Sequence, residues 1–419
     1  MATKINGVNK LSCLITIGEY NEQSDYYMDS KYVFNECVNI EINDSYETLT
    51  NTAKITLTRD VRLKLTQKNE DGYISNKVLT NEDFKSMFKK SDRVRIHLGY
   101  DDDNKLMFDG FIITVDAKSP FTLYCEDWGY ILKNRVVNPS EITVSKYGTH
   151  INPLLNKILD GSAISLHPLS EKMDLIMPIK KLKDPISLSA LLEYWKTYLG
   201  VLIFIKMVKN KPCLAISRTY FSENKDETLI VGNVDSVDVI EFDENVPIKG
   251  DKLKFTYLDY DTLALEATSI NAKYQRTRFT LILNPKFFGK DIAQGIVSDE
   301  FLVKNITTTS KKQNKLNNAT VENRFDLTHH NIRTFHEYNV SYETLLKDAK
   351  SAFKKISQTG ISGSLTVFGD FGLKAASMVR INSKRNPERN GVYVISDVKT
   401  KFGTAGYRQT IQIPFKRSN

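Results

Sequence analysis

A short pattern occurs twice in this sequence, once near each end of the chain. Val94-Arg95-Ile96 is followed fourteen residues later by Gly110, and Val379-Arg380-Ile381 is followed ten residues later by Gly391. In both places the glycine begins a mostly apolar run that ends in an aspartate. An apolar strand, a turn and a glycine-marked second strand are typical of an antiparallel hairpin. The recurrence predicts an internal duplication with two related β units. Two unrelated hairpins of a common type are the alternative.

The size and composition of the chain predict a folded protein with more than one domain. Its 419 residues and 47.9 kDa exceed what one hydrophobic core usually serves. Hydrophobic residues make up 41% and charged residues 26%, which is ordinary for a globular protein. No signal-peptide pattern begins the chain, and its longest apolar run, at residues 201–205, is too short to span a bilayer. We expect a protein that is made and kept in the cytoplasm.

Hydrophobic periodicity divides the chain into segments of different character. Alternating apolar and polar residues predict strands before residue 145 and again after residue 233. Between them, Pro153 and Gly161 mark the two ends of a short helix, and Leu188, Leu192 and Trp195 share one face of another. A polar stretch at residues 305–320 has few apolar residues and indicates an exposed insertion. The predicted segments are a first β unit at 1–145, a small α/β module at 146–232, the first strands of a second β unit at 233–267, the exposed insertion at 268–340, and the remainder of the second β unit with one packed helix at 341–419.

The net charge of +8 is concentrated in the C-terminal segment. In residues 341–419, 14 lysines and arginines stand against 5 aspartates and glutamates, a balance of +9, so the remainder carries about −1. Such a segment suits nucleic acid, a membrane surface or an acidic protein face, and the sign of the charge does not choose among them. A solvated basic surface is the simpler alternative. The basic residues that we expect to face DNA or an acidic partner are Lys384, Arg385, Arg389, Lys399, Lys401 and Arg408.

Three stretches of the sequence resemble one known family. In the first, residues 38–42 lead into residues 49–57 as a pair of strands, and the second is the hairpin of residues 92–115. The third is a helix with Ala349 and Phe353, followed by strands and turns that contain Val379, Arg380, Ile381, Gly391, Tyr393, Gly403, Gly406 and Tyr407. In order and spacing the chain resembles the tail-hub, or baseplate-hub, proteins of tailed bacteriophages. This late-control D family is related to the base of type VI secretion spikes.

The resemblance implies a fold and an assembly. The implied fold is mainly β with α+β insertions: two related tube-type β-barrel domains, a small α/β module and an extended insertion. The implied assembly is a homotrimeric ring at the distal end of a tail tube, where six similar units adapt the six-fold tube to a three-fold tip. Ala375-Ala376-Ser377 stands where the family often has a Pro-Gly pair, so the likeness is weaker there.

The same resemblance implies partners and a location. The partners are other copies of the chain, a tail-tube or distal-tail hexamer, and a spike, tip or fibre-bearing protein. The tape-measure protein and DNA in the channel are further implied contacts. The location is the tail tip or baseplate of a virion assembled in the host cytoplasm.

The motifs of common enzyme classes are missing from the sequence. It contains no GxSxG, HExxH or Walker A pattern. Asp370-Phe371-Gly372 matches a kinase triplet without the other kinase motifs, and the three aspartates and the asparagine at residues 101–104 lack the glycine of a calcium-binding loop. His329, His330 and His336 lie in a polar stretch, and we expect them to be ordinary surface histidines rather than metal ligands. We therefore expect a structural protein without catalytic residues, metal or cofactor.

Two other functions remain open at this stage. One is a tail-associated cell-wall hydrolase, for which Glu126 and Glu193 are the candidate acids, because such enzymes use carboxyl groups for proton transfer. Glu126 and Asp127 do not form a catalytic pair, since neighbours in a strand point to opposite faces of its sheet. The other is the base of a secretion-system spike, which has the same fold.

Overall fold

The structure of the protein is a computed structural model. It describes residues 10–20, 29–57, 62–64, 76–78, 87–116, 120–142, 149–171, 176–177, 183–199, 201–218, 239–243, 252–256, 263–270, 275–283, 296–297, 301–309, 331–338, 340–356, 360–369, 372–384, 386–414 and 416–418. Strands dominate these residues and helices are few, so the prediction of a mainly β protein is confirmed. None of the described helices has the length and apolar character needed to cross a membrane.

The elements are named here in chain order. The described helices are α1 (Gly129–Asn134), α2 (Ile151–Leu159), α3 (Pro168–Glu171), α4 (Leu188–Leu199) and α5 (Tyr342–Ile356). The strands of the N-terminal half are β1 (Leu11–Glu19), β2 (Asp29–Phe34), β3 (Asn39–Ser45), β4 (Thr52–Thr56), β5 (Arg62–Lys64), β6 (Asn76–Val78), β7 (Arg93–Tyr100), β8 (Asp103–Asp116), β9 (Thr122–Asp127), β10 (Val136–Val137), β11 (Thr149–His150), β12 (Ser165–Leu166), β13 (Ile176–Met177), β14 (Ile186–Ser187), β15 (Val201–Val208) and β16 (Lys211–Arg218). The remaining strands are β17 (Val239–Asp243), β18 (Lys252–Thr256), β19 (Leu263–Ile270), β20 (Arg276–Leu283), β21 (Ile296–Val297), β22 (Phe301–Thr309), β23 (Asn331–Tyr338), β24 (Gly360–Phe368), β25 (Met378–Asn382), β26 (Gly391–Val394), β27 (Asp397–Gly403), β28 (Gly406–Ile413) and β29 (Lys416–Ser418).

Eleven strands form one large sheet, in the order β18-β24-β28-β27-β3-β4-β9-β8-β7-β1-β2. Several of its strands alternate apolar and polar residues, so that one side is buried and the other faces solvent. Ile40 and Ile42 of β3 and Ile55 of β4 are almost completely buried. Together with apolar residues of β1, β7, β8 and β9 they form the core on one side of this sheet.

The same order of strand pairing occurs twice in the described residues. In the first occurrence β3, β4, β9, β8 and β7 are successive antiparallel neighbours. In the second, β18, β24, β28 and β27 are successive antiparallel neighbours, and β26, which leads into β27 through Ile395 and Ser396, pairs with β25. The long strand β8 therefore corresponds to β26 and β27 together. We call the first group of strands the first repeat and the other group the second repeat.

The two hairpins that the sequence indicates lie at corresponding places in these repeats. Val94 of β7 lies opposite Gly110, and Val379 of β25 lies opposite Tyr393. Gly391 lies opposite Ile381 instead. The two Val-Arg-Ile triplets therefore correspond, whereas the two glycines differ by two positions in register and are not equivalent.

The burial pattern also agrees between the repeats. Residues 123–125 of β9 run buried, exposed, buried, and the corresponding residues 411–413 of β28 do the same. The second repeat buries Val379, Ile381 and Tyr393 in a core of its own beside a smaller sheet, in the order β17-β25-β26-β29. That the repeats are two related β-barrel domains stays a prediction.

Gly110 is required by close packing between β8 and β9. A Cβ atom at this position would lie 2.2 Å from the backbone oxygen of Glu126, which is far inside van der Waals contact. We expect Gly110→Ala to lower the free energy of unfolding by about 1–3 kcal/mol or more, because the strands must separate to admit the methyl group. Chemical denaturation measures this loss. Gly161→Ala is the control, since no atom lies within 4 Å of that position and only its φ of +74° opposes the substitution; an equal loss in both variants would contradict the packing argument.

Between the two repeats the structure has strands and helices of the predicted kinds, and that they form a separate α/β module stays a prediction. Strands β12, β16 and β15 form a sheet there, and apolar residues of α2 and α4 pack in one core with them. Helix α2 begins at Ile151 rather than at Pro153. The reason is that Asn152 does not cap the helix: its side-chain amide donates to the backbone oxygens of Ser170 and Glu171, at 2.9 and 3.2 Å.

The structure differs from the predicted exposed insertion at 268–340. Strands β19, β20, β22, β23 and β21 form a five-stranded sheet in this region. Leu265, Phe279 and Leu281 of this sheet pack against Leu345 and Phe353 of α5 in a separate core. Helix α5 therefore packs on this sheet rather than on the second repeat, and β19 belongs to it as well. The sequence signal is weak because threonine and arginine residues alternate with the few apolar ones. Most of the polar stretch 305–320 lies outside the described residues.

Candidate assembly site at the junction of the two repeats

The two repeats are joined edge to edge by one pair of strands. Strand β27 of the second repeat pairs antiparallel with β3 of the first, from Asp397 opposite Ser45 to Gly403 opposite Asn39. On its other side β27 pairs with β28 of its own repeat. We call the β3–β27 pairing the junction. It makes one continuous sheet from the two groups of strands.

The solvent-facing side of the sheet at the junction is polar. On β27 the even-numbered Val398, Thr400 and Phe402 are buried, whereas Lys399 and Lys401 are exposed. We call the exposed and half-exposed residues on the same side of the neighbouring strands, together with these two lysines, the polar side. Its other members are Glu41, Asn43, Thr52, Lys54, Tyr124, Glu126, Arg408 and Thr410.

Basic side chains outnumber acidic ones on the polar side. Arg408, Lys401, Glu41, Lys54 and Tyr124 form one row of directly opposed residues across five strands. The Lys401 ammonium lies 4.0 Å from the Glu41 carboxylate, and the Lys54 ammonium lies 5.7 Å from the centre of the Tyr124 ring. Exposed pairs of this type contribute little to stability.

Of the basic residues singled out in the sequence, three meet on this polar side. They are Lys399, Lys401 and Arg408. The Arg408 guanidinium also makes contacts within the chain: it lies 4.1 Å from the Phe368 ring centre and donates to the Tyr407 backbone oxygen at 2.8 Å. The exposed Lys384 and the half-buried Arg389 lie instead between β25 and β26. Arg385 lies outside the described residues. The predicted basic set is therefore divided between two places.

The remaining residues of the family pattern have structural positions. Val94, Ile96, Val379 and Ile381 are buried in the cores, while Arg95 and Arg380, between them, are half-exposed. The Tyr393 hydroxyl donates to the Arg389 backbone oxygen at 2.9 Å. Tyr407 packs on Phe402 and on Tyr100 of the first repeat. Gly403 ends β27 and Gly406 begins β28, with φ of 153° and 95°, and such positive φ values favour glycine.

A buried ion pair lies in the first repeat. The Arg93 guanidinium donates to both oxygens of the Asp109 carboxylate, at 2.8 and 2.7 Å, and the side chains are 0% and 2% exposed. Arg95 approaches the same carboxylate at 3.3 Å, and the Arg93 guanidinium lies 4.8 Å from the ring centre of the buried Trp128. Two parallel hydrogen bonds fix both the distance and the orientation of the pair. The sequence pattern treats Arg93 as an ordinary strand residue and gives no sign of this pair.

Asp44 of β3 connects the two repeats through hydrogen bonds. Its carboxylate accepts hydrogen bonds from the side chain of Asn51 and from the backbone N–H of Ala375, each at 2.9 Å. It lines a cavity of about 200 Å³ between the first repeat, the α/β module and the second repeat. Burial raises the pKa of the Asp44 carboxyl, against the lowering effect of the Ala375 N–H. Burial lowers the pKa of Lys206 and Lys374 in the same cavity, and the Asp44 charge opposes this.

Asp127 also lines this cavity. Its carboxylate accepts a hydrogen bond from the Gly129 N–H at 2.9 Å. Burial raises the pKa of the Asp127 carboxyl to about 7, despite the hydrogen bonds from Gly129 and Asn51, which lower it. A buried carboxyl with this pKa changes charge near neutral pH, so we expect the stability of this part of the protein to depend on pH.

The two carboxylates considered for a hydrolase lie in different environments. Glu126 on β9 forms an ion pair with Lys133 at 2.7 Å, and Glu193 on α4 is exposed and lies 3.7 Å from Lys196. A catalytic acid of this class usually needs a hydrophobic pocket that holds its proton, and neither position provides one. In the part of the chain that the structure describes, no group of three or more histidine, cysteine, aspartate or glutamate side chains is arranged to hold a metal ion.

Comparison with known proteins gives the class of fold. No protein-family model and no curated protein sequence matches the chain. The structure is similar to that of the 43 kDa tail protein of prophage MuSo2 from Shewanella oneidensis, with a TM-score of 0.51 and 10% identity over 97% of this chain and 98% of that chain. It is similar to that of the tail protein from Neisseria meningitidis MC58, with a TM-score of 0.51 and 9% identity over 97% and 96%. The chain therefore has the fold of phage-type tail proteins.

Proposed function

We propose that this protein is a structural hub at the distal end of a phage tail tube, where three copies form a ring. The observation that carries the proposal is the repeated order of strand pairing, with the two repeats joined in one sheet at the junction. Three copies with two repeats each present six similar units around one axis. Such a ring joins a six-fold tube on one side to a three-fold tip on the other.

The proposed ring has a partner on each face. A tail-tube or distal-tail hexamer contacts one face, and a spike, tip or fibre-bearing protein contacts the other, so that the protein resides in the virion tail. Similarity of fold to two tail proteins supports this placement. A non-enzymatic role agrees with the environments of Glu126 and Glu193 described above.

The polar side is the proposed lining of the ring channel. It carries Lys54, Lys399, Lys401 and Arg408 against Glu41 and Glu126, and it spans both repeats without a break because the junction strands pair directly. A lining with mixed and mostly basic charge provides reversible contacts with phosphates that are screened by salt. DNA and the tape-measure protein are the molecules that would pass through it.

Native mass spectrometry combined with electron microscopy tests the hub proposal. The expected species is a trimer with a mass of about 144 kDa, which is three times 47.9 kDa, and class averages should show a ring with three-fold symmetry and six similar lobes. A stable monomer at micromolar concentration, with no ring after addition of tail-tube protein, would overturn the proposal. A clear zone in a peptidoglycan gel assay, lost in Glu126→Gln or Glu193→Gln, would instead favour the hydrolase.

A further inference from the structure

Each repeat has one strand edge that corresponds to β3 and one that corresponds to β27. The junction pairs only one edge of each kind. Within the chain, β3 of the first repeat meets β27 of the second. The strand that corresponds to β3 in the second repeat is β18, and the segment that corresponds to β27 in the first repeat is the end of β8. These two edges are equivalent to the two edges of the junction, but they do not meet each other within the chain.

Both edges lack a neighbouring strand among the described residues. Strand β18 is the first strand of the sheet order and pairs with β24 alone. Residues 114–116 of β8 pair with β9 on one side. On the other side, pairing with β7 ends at Phe111, and the last backbone hydrogen bonds join Ile112 to Ser91 and Asp92. An open strand edge is a ready template for another strand, and proteins usually cover or block it.

We propose that β18 of one copy of the chain pairs antiparallel with residues 114–116 of β8 in the next copy. This pairing between two chains has the same arrangement as the junction within one chain, and the proposal rests on the ring proposed above. The contact joins two different edges, so each copy offers one edge to each of two neighbours. A head-to-tail contact of this kind closes into a ring when the rotation per copy divides a full turn. Backbone hydrogen bonds along an added strand provide the affinity.

The sheet pairings fix the register of the proposed contact. In the junction, Asp397, Val398 and Lys399 lie opposite Ser45, Asp44 and Asn43. The pairings of β25, β26, β27 and β28 match Asp397, Val398 and Lys399 to Thr114, Val115 and Asp116. The pairings of β24 and β18 match Ser45, Asp44 and Asn43 to Thr256, Phe255 and Lys254. The expected opposite pairs between copies are therefore Thr114 with Thr256, Val115 with Phe255, and Asp116 with Lys254.

The residues at these positions are complementary. Asp116 and Lys254 carry opposite charges at directly opposed positions, which favours antiparallel pairing, whereas like charges there disfavour it. Val115 and Phe255 are both apolar, and an aromatic residue opposite a β-branched one is a favourable cross-strand pair. A second copy of the chain is thus the occupant whose register and charges fit the edge.

Disulfide trapping tests the register directly. Opposed residues in antiparallel strands have Cα atoms about 4.5–5.5 Å apart, within the range that a disulfide spans. We expect Asp116→Cys with Lys254→Cys, under mild oxidation, to give covalent dimers and trimers on a denaturing gel. Asp103→Cys with Lys254→Cys is the matched control and should stay monomeric, because Asp103 lies at the far end of β8. The unaltered chain, with Cys13, Cys37, Cys125 and Cys213, sets the background.

Charge exchange provides a second measurement that does not depend on oxidation. Asp116→Lys and Lys254→Asp should each raise the concentration at which the trimer dissociates by about tenfold, since each places like charges opposite one another at every contact of the ring. The two together should restore it. Thermal melting followed by circular dichroism shows whether each variant folds. If a variant does not fold, the disulfide-trapping experiment tests the proposed pairing instead.

The outcomes separate the two proposals. A trimer in native mass spectrometry, without cross-links and without restoration by the double exchange, would overturn the proposed pairing and leave the ring intact. A monomer under all conditions would overturn both. Cross-linked trimers, absent in the Asp103 control, support both.

Discussion

Asp109→Asn is expected to lower the free energy of unfolding by about 3–5 kcal/mol, because it leaves the Arg93 charge buried without its carboxylate. Both Asp109 oxygens accept from Arg93, and one also receives Arg95. An amide supplies one acceptor oxygen, and its NH₂ group would face a guanidinium that can only donate. The Arg93 side chain is 0% exposed, so water does not replace the lost acceptor.

Urea unfolding of matched variants measures this cost. Arg95→Met is the first control, because Arg95 is partly exposed and contacts the same carboxylate; it should lose less than about 1 kcal/mol. Arg93→Met with Asp109→Leu is the second, since exchanging both charges for apolar side chains is often close to neutral. A loss below about 1 kcal/mol in Asp109→Asn would mean that water reaches the pair.

Local strand formation could be predicted from the sequence because it depends on neighbouring residues. The Val-Arg-Ile triplets that begin at Val94 and Val379 lie in β7 and β25, at corresponding places in the two repeats. The pairing of residues 39–43 with residues 52–56 also follows the sequence pattern. In each case alternation with a period of two identifies the buried side of a strand.

Pairings between distant segments could not be predicted in the same way. No pattern of neighbouring residues indicates that β27 pairs with β3, or that the Ala375 N–H donates to Asp44, because these partners are separated by more than three hundred residues. The equivalence of Gly110 and Gly391 fails for a related reason. The register of a hairpin is given by which residues face each other across it, and loops of different length shift that register.

The packing of α5 was likewise beyond local signals. The sequence indicates its apolar face correctly, with Leu345, Ala349 and Phe353 buried, but an apolar face does not specify which sheet covers it. Its partner sheet is built from β19, β20 and β23, strands whose apolar residues are interrupted by threonine and arginine. The buried groups of the candidate site, such as Asp44 and Asp127, look like ordinary polar residues until the fold encloses them.

The pH dependence of stability provides the second test of the buried groups. In the folded protein the pKa of Asp127 is about 7, above its ordinary value of 3.8, so the folded state binds this proton more tightly than the unfolded state does. The stabilisation from proton binding is complete below about pH 4 and is lost as the pH rises through about 7. We therefore expect stability to increase on acidification from pH 8 to pH 5, by about 2–3 kcal/mol from this group.

Asp127→Asn should remove that share of the pH dependence. The amide stays neutral across the range and retains an oxygen that can accept from the Gly129 N–H. The measurement is the free energy of unfolding at pH 5, 6, 7 and 8, at one protein concentration. Glu126→Gln is the control, because Glu126 is only half-buried and lies beside Lys133, so its variant should keep the slope of the unaltered chain. If Asp127→Asn kept that slope as well, the pH dependence would arise elsewhere in the protein.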